Sequence, residues 1–313
     1  MLEDFERGRV TAFFRRVADA IPVIDRPSSL AITHLLAERP AFLEGVARLT
    51  HIAAVLPKPR SINEAALRAV RTSLQVDTLD REQFANADSA LAYVESRAAG
   101  RDLILLDVGG YFAPVLGHLH AHFTGRIIGV VEDTENGHQR YAVLDKLPCP
   151  VFSVARSPLK EPEDYLVGQS VVFSTEALVR SRDDILNGRP ACVIGYGKLG
   201  RSIAAMLHAK HVGVTVYDVD PVRRVQALSQ GYRAAATLIE ALTGAGIVVC
   251  ATGNFALRED DFSRVANGAY IASVTSSDDE LELSALTGLY TRTHIEPHVT
   301  HYARTGHYFH EAS

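Results

Sequence analysis

The sequence predicts an α/β protein built from two doubly wound parallel-sheet domains, and three observations carry that prediction. The chain has 313 residues, enough for two domains with sizeable cores. Short apolar runs of strand length alternate with helical-period segments in both halves, the pattern of a parallel sheet with crossover helices. The stretch Ala191–Pro221, ACVIGYGKLGRSIAAMLHAKHVGVTVYDVDP, reads as strand, glycine turn, helix and second strand.

Along the first half, Phe5, Val10, Phe13, Phe14 and Val17 fall near helical spacing and predict an amphipathic helix over 2–20. Residues 31–49 read as helical, broken at Pro40. His51–Leu56 is a short buried strand, ended by the loop Pro57-Lys-Pro-Arg-Ser61, because each proline pushes the preceding residue out of the α region. Loops at the carboxyl ends of strands line the ligand crevice of an open α/β sheet, so Lys58 and Arg60 could meet an anion there; solvated surface is the alternative. Helices are expected over 62–73, 84–98 and 111–122. Strands are expected over 74–79, 103–106 and 127–131, the last two running into Asp107-Val-Gly-Gly-Tyr111 and Glu132-Asp-Thr-Glu-Asn-Gly137.

A strand over 151–155 follows, then a polar, poorly periodic segment to Gly168. Residues 171–186 predict the helix that opens the second domain, so the domains are expected at 1–170 and 171–313. Beyond Asp218, helices at 222–230 and 238–242 alternate with strands at 234–237, 247–251 and 269–274.

The glycine stretch has the clearest chemistry. Gly195, Gly197 and Gly200 keep the G-x-G-x-x-G spacing: one glycine for a tight turn, one for close approach of a pyrophosphate and one for helix-on-strand packing. Tyr196, Lys198 and Leu199 complete the turn, and the helix that follows offers its N-terminal N–H groups to phosphates. Asp218 ends the second strand, where a carboxylate accepts hydrogen bonds from an adenosine ribose. It favours NAD over NADP, while Arg223 and Arg224 keep NADP open. Thr252, Gly253 and Asn254 end a later strand with small residues that permit close approach of a cofactor.

Composition excludes several classes. With 47% hydrophobic and 22% charged residues and a net charge of −5, the chain has no basic stripe for nucleic acid. No apolar run reaches the roughly 18 to 20 residues of a membrane span. The N-terminus MLEDFERGRV lacks the apolar core of a signal peptide. Cys149, Cys192 and Cys250 are too few and scattered for a disulfide framework, so a cytoplasmic protein with free thiols is expected. Five histidines from His294 to His310 raise metal binding as an idea, but no cysteine lies near, and exposed polar strands are the expectation; no metal is predicted.

Several spaced motifs resemble the S-adenosylhomocysteine hydrolases: Leu106–Gly110, Glu132–Gly137, Lys160 with Asp164–Gly168, Gly195–Gly200, Asp218–Pro221, Ala251–Asn254 and Ile295–Val299. The resemblance spans most of 100–302 and implies a substrate domain, a Rossmann domain holding NAD, and cytoplasmic homo-oligomers. It implies substrate-site roles for Lys160, Asp164 and Asp133, and a cofactor contact for Thr134. The match breaks at other family positions, where this sequence has Pro57, Val108, Tyr165, Gln169, Glu135-Asn136 and Ser276. The sequence ends at Ser313, before a further segment and tail that the family carries. Loss of several acid–base groups, each worth about 10² to 10⁴ in rate, argues against efficient hydrolysis of S-adenosylhomocysteine. The sequence therefore points to an NAD-dependent enzyme acting on a hydroxyl-bearing, nucleoside-like small molecule. The alternative is a non-catalytic NAD-binding sensor or regulator, in which Lys160 and Asp164 are an ordinary exposed ion pair. A 2-hydroxy acid dehydrogenase is a third reading, disfavoured because Thr275-Ser276-Ser277 stands where it would want an arginine.

Overall fold

A computed structural model describes residues 4–23, 25–274, 280–296 and 298–312. Thr275, Ser276, Ser277 and Pro297, on which parts of the sequence reading fall, lie outside them. The chain divides into two compact units, Met1–Ser157 and Pro158–Ser313.

In the first unit the elements run α1 (Asp4–Asp19), β1 (Ser28–Leu35), α2 (Arg39–Leu49), β2 (His51–Ile62), α3 (Glu64–Arg71), α4 (Arg81–Ala85) and α5 (Ala87–Ala98). They continue with β3 (Asp102–Asp107), α6 (Leu116–His122), β4 (Arg126–Glu132), α7 (Glu135–Ala142) and β5 (Val151–Ser153). All strand pairs are parallel and the order is β2-β1-β3-β4-β5, so the sheet is doubly wound. Alternation along β1 sends Leu30 and Ile32 to a core shared with Phe84, Val94 and Phe112, while Ala31 and Leu35 meet Leu43 and Val70 on the other face. Each fully buried aliphatic side chain stabilises by about 1.5 to 3 kcal/mol.

Three expectations for this unit are corrected. Ser28–Leu35 is a strand, although a helix is expected from residue 31, because a central strand buried on both faces shows no polar alternation. The second strand passes through Pro57 and Pro59 to Ile62; it lies at the sheet edge, where a missing backbone donor is tolerated. The strand expected over 74–79 reduces to one bridge, Val55 with Val76.

The second unit begins with α8 (Lys160–Arg180), β6 (Ala191–Ile194), α9 (Lys198–Ala209), β7 (Val214–Tyr217), α10 (Pro221–Ser229), β8 (Arg233–Ala234) and α11 (Leu238–Leu242). Then come β9 (Ile247–Cys250), β10 (Ala269–Ser273), β11 (Thr291–Glu296), β12 (Val299–Arg304) and β13 (His307–Ala312). The run β8-β7-β6-β9-β10-β13 is parallel, in Rossmann order, and β12 and β11 extend it antiparallel. The sheet is thus mixed, not purely parallel, because β13 is reached through a hairpin of strands.

The expected boundary at 170 falls inside α8. This helix starts at Lys160 because Pro162 sits in its first turn, where a proline removes no intrahelical hydrogen bond. It packs so closely on α9 that a Cβ on Gly168 would lie 2.5 Å from that of Ser202, so its early turns belong with the second unit.

Candidate functional site

The three glycines of the turn after β6 have distinct duties. Gly195 has φ +91°, and an added Cβ would lie 2.6 Å from the Ala251 carbonyl oxygen. On Gly200 a Cβ would lie 1.8 Å from the Gly195 oxygen, so α9 can press on the turn only if that residue is glycine. A Cβ on Gly197 would find nothing nearer than the Arg223 Nη1 at 3.8 Å, so that glycine leaves an open approach to the backbone. Gly197 also caps α9 with no side-chain acceptor, leaving the helix N-terminus to a phosphate.

Asp218, following β7, is buried and built into this turn. Its Oδ2 accepts the Tyr196 N–H at 2.6 Å and a longer contact from Arg223 Nη1 at 3.4 Å, while Oδ1 accepts the Asp220 N–H at 2.9 Å. A carboxylate has about four acceptor positions, so one remains for a ribose hydroxyl. The side chain of Tyr196 turns inward; its hydroxyl donates to Gln230 at 2.9 Å and burial pushes its pKa up to about 12. Leu199 packs against the same core. These two residues therefore contribute backbone and packing at the turn.

The Thr252-Gly253-Asn254 loop is held from beneath by Glu280, which the sequence reading missed. This fully buried carboxylate accepts from the Thr252 N–H (2.7 Å), the Thr252 hydroxyl (2.9 Å), the Gly253 N–H (3.1 Å), the Ser273 hydroxyl (2.8 Å) and the Val274 N–H (3.3 Å). In the sequence it sits in the acidic run Asp278-Asp-Glu-Leu-Glu282, which resembles a solvated loop; no local signal marks it.

At the start of α8, Lys160 donates to Glu163 at 2.8 Å, and Asp164 lies 3.7 Å from the Nζ of Lys198 on the glycine turn. Burial raises the pKa of Asp164 against the opposing pull of Lys160 and Lys198. The structure thus brings Lys160, Asp164 and Lys198 together beside the turn, with Lys160 hydrogen-bonded to Glu163.

Asp133 and Thr134 belong to the first unit. Thr134 caps α7 by accepting the Gly137 N–H at 3.0 Å, and its own N–H and hydroxyl donate to Glu132. The N–H of Asp133 donates to the Asp107 carbonyl at 3.2 Å. Among the C-terminal histidines, His301 and His310 face each other across β12 and β13 with Nδ1 atoms 3.3 Å apart, and burial with the nearby Arg182 pushes His310 down to about 4. Among the described residues no three metal-ligating side chains converge, and no helix is long and apolar enough to cross a membrane.

Residues 165–308, just under half of the chain, match the family model described as S-adenosyl-L-homocysteine hydrolase, NAD binding domain. Solved structures with likeness to this chain include a phosphoglycerate oxidoreductase from Vibrio cholerae o395 (17% identity, 75% of this chain and 78% of that one, TM-score 0.44). A putative D-isomer specific 2-hydroxyacid dehydrogenase, NAD-binding, from Polaromonas sp. JS6 66 shares 16% identity over 85% of this chain and 78% of its own, with TM-score 0.45. The pyruvate reductase of Chlamydomonas reinhardtii shares 15% identity over 84% and 73%, with TM-score 0.44. The open approach at Gly197, the uncapped start of α9 and the remaining acceptor on Asp218 fit a dinucleotide, and the matched domain makes it NAD.

Proposed function

We propose that this protein is an NAD-dependent oxidoreductase that acts on the hydroxyl of a small, nucleoside-like molecule, and that it does not hydrolyse S-adenosylhomocysteine efficiently. The observation that carries this reading is the cluster of Lys160, Asp164 and Lys198 beside the glycine turn. When bound, NAD supplies a hydride acceptor. The backbone at Gly195, Gly197 and Gly200 with the first turn of α9 would receive the pyrophosphate, Asp218 would receive the adenosine ribose, and Thr252–Asn254 would allow close approach of the cofactor. Lys198, at the mouth of the turn, neutralises phosphate charge. Lys160 holds the proton of the substrate hydroxyl, and Asp164 sets its field. Asp133 and Thr134 take no part in this reading; Thr134 caps α7 and donates to Glu132 within the first unit. The reading extends to a cytoplasmic homo-oligomer.

A second reading, a non-catalytic NAD sensor, draws on one observation: Lys160 is already paired with Glu163. One experiment separates the two. Purified protein is denatured and assayed for released NAD, then the native protein is incubated with nucleosides and NAD while absorbance at 340 nm is followed. Reduction that disappears in Lys160→Ala, with NAD still bound, is expected. Binding without reduction by any adenosine-like alcohol favours the sensor, and no bound or titratable dinucleotide overturns both.

A further inference from the structure

We propose that the first unit carries an oxyanion-binding site of its own, where Lys58, Arg81 and Arg140 converge on the Gly109–Tyr111 turn, and that it takes a small molecule through a phosphate or carboxylate group. The site is argued from the first unit alone and is independent of the NAD reading.

The sheet order places it. The chain passes from β1 to β2 on one side and then from β2 back across to β3 on the other, so the strand order reverses at β1, and the carboxyl ends of β1 and β3 flank the crevice where doubly wound sheets bind ligands. Lys58 stands on β2, beyond β1, yet its Nζ lies 3.4 Å from where a Cβ of Gly109 would be. Its side chain therefore spans the end of β1 and delivers the ammonium to the switch point. The residue is only 6% exposed, unusual for a lysine.

Two guanidinium groups join it from other elements. Arg81, on α4, lies over the Tyr111 ring with its Cζ 5.6 Å from the centroid. The Cδ of Arg140, on α7, lies 2.9 Å from the Cβ position of Gly110. Gly109 and Gly110 both have positive φ, +117° and +67°, so the turn has the shape that only glycine adopts freely.

The acids beneath the turn hold its backbone in place and act on Lys58 as counter-charges. Glu132 accepts the N–H groups of Gly109, Gly110 and Thr134 and the Thr134 hydroxyl. Asp107 accepts the N–H groups of Tyr111 and Phe112 and the Tyr141 hydroxyl. Burial, with Arg81 and Arg140, pushes the Lys58 pKa down, while Glu132 and Asp107 oppose it. Arg81 and Arg140 act on Lys58 as like charges, and an arriving anion adds a counter-charge to those of Glu132 and Asp107. Two planar guanidinium forks and one ammonium suit the oxygens of a phosphate or a carboxylate.

The test is titration calorimetry with inorganic phosphate and, in a second arm, acetate, on the full chain and on Lys58→Met, Arg81→Gln and Arg140→Gln. Saturable binding is expected, about tenfold weaker in Lys58→Met, the loss of one charge-assisted contact. If Lys58→Met does not fold by circular dichroism, the two arginine variants decide, each expected to weaken binding by about threefold or more. Preference for phosphate assigns a phosphorylated ligand, and preference for acetate a carboxylic acid. No saturable binding of either anion, or binding that the folded variants leave unchanged, overturns the proposal.

Discussion

The Asp218 carboxylate accepts the Tyr196 N–H at 2.6 Å, so the acid that closes β7 is also a brace for the glycine turn after β6. Two neighbouring strands of the sheet are tied together at the point where a dinucleotide approaches. Affinity and local stability are therefore coupled at one residue.

Asp218→Ala is expected to weaken NAD binding by tenfold or more and to destabilise the second unit by about 1 to 3 kcal/mol, the cost of an unmade buried hydrogen bond. Titration of NAD alongside thermal unfolding measures both. An unchanged melting temperature with lost affinity would show that the brace is dispensable.

Gly197→Ala and Gly200→Ala are expected to separate cofactor binding from folding. The first adds a methyl group to open space and should leave the melting curve within about 1 kcal/mol of wild type while reducing NAD affinity. The second drives a methyl group into the Gly195 carbonyl oxygen and should cost about 3 kcal/mol or more. Equal effects of the two on stability would contradict these assignments.

Glu280→Ala removes the acceptor for five donors and is expected to destabilise the second unit by about 3 kcal/mol or more. Hydrogen exchange should quicken at Thr252 and Gly253 beyond its rise elsewhere in the unit. Protection of those two amides at the wild-type level would rule out this anchoring role.

The first unit is expected to lose stability as pH rises from about 4.5 to about 7. Burial, helped by the nearby Asp107, raises Glu132 from its ordinary value to about 7, and burial raises Asp107 too. Below 4.5 the folded and unfolded chains both hold the Glu132 proton. Above it the unfolded chain releases that proton first, so the folded form is penalised until pH passes the folded value, by on the order of 1 to 3 kcal/mol in all. Hydrogen exchange of β4 amides, corrected for intrinsic rates, measures this, and Glu132→Gln should flatten the slope. A stability that climbs across this window would reverse the assignment.

The second unit was the more legible in sequence because its signals are local. Gly195, Gly197 and Gly200 answer steric needs within one turn, and Asp218 lies at a fixed distance along the same motif. Glu280 was unreadable because its partners are far away along the chain, up to 28 residues at Thr252, and only the fold makes it an anchor. In the first unit Ser28–Leu35 hid as a helix because both its faces are covered, and Pro57 and Pro59 disguised an edge strand as a loop. Lys58, expected in a loop beyond the strand, lies within β2, and the arginines near it come from α4 and α7 and carry no mark in sequence.

Glu132 and Glu280 perform the same task in the two units, each a buried carboxylate that gathers the amides of a glycine-containing loop at the carboxyl end of a strand. Such a loop is already ordered when a ligand arrives, so little conformational freedom is lost at that moment. Association at these ends should then proceed at the rate of productive encounter, without a slow loop-closing phase, and differences in affinity between ligands should lie mainly in how fast each one leaves.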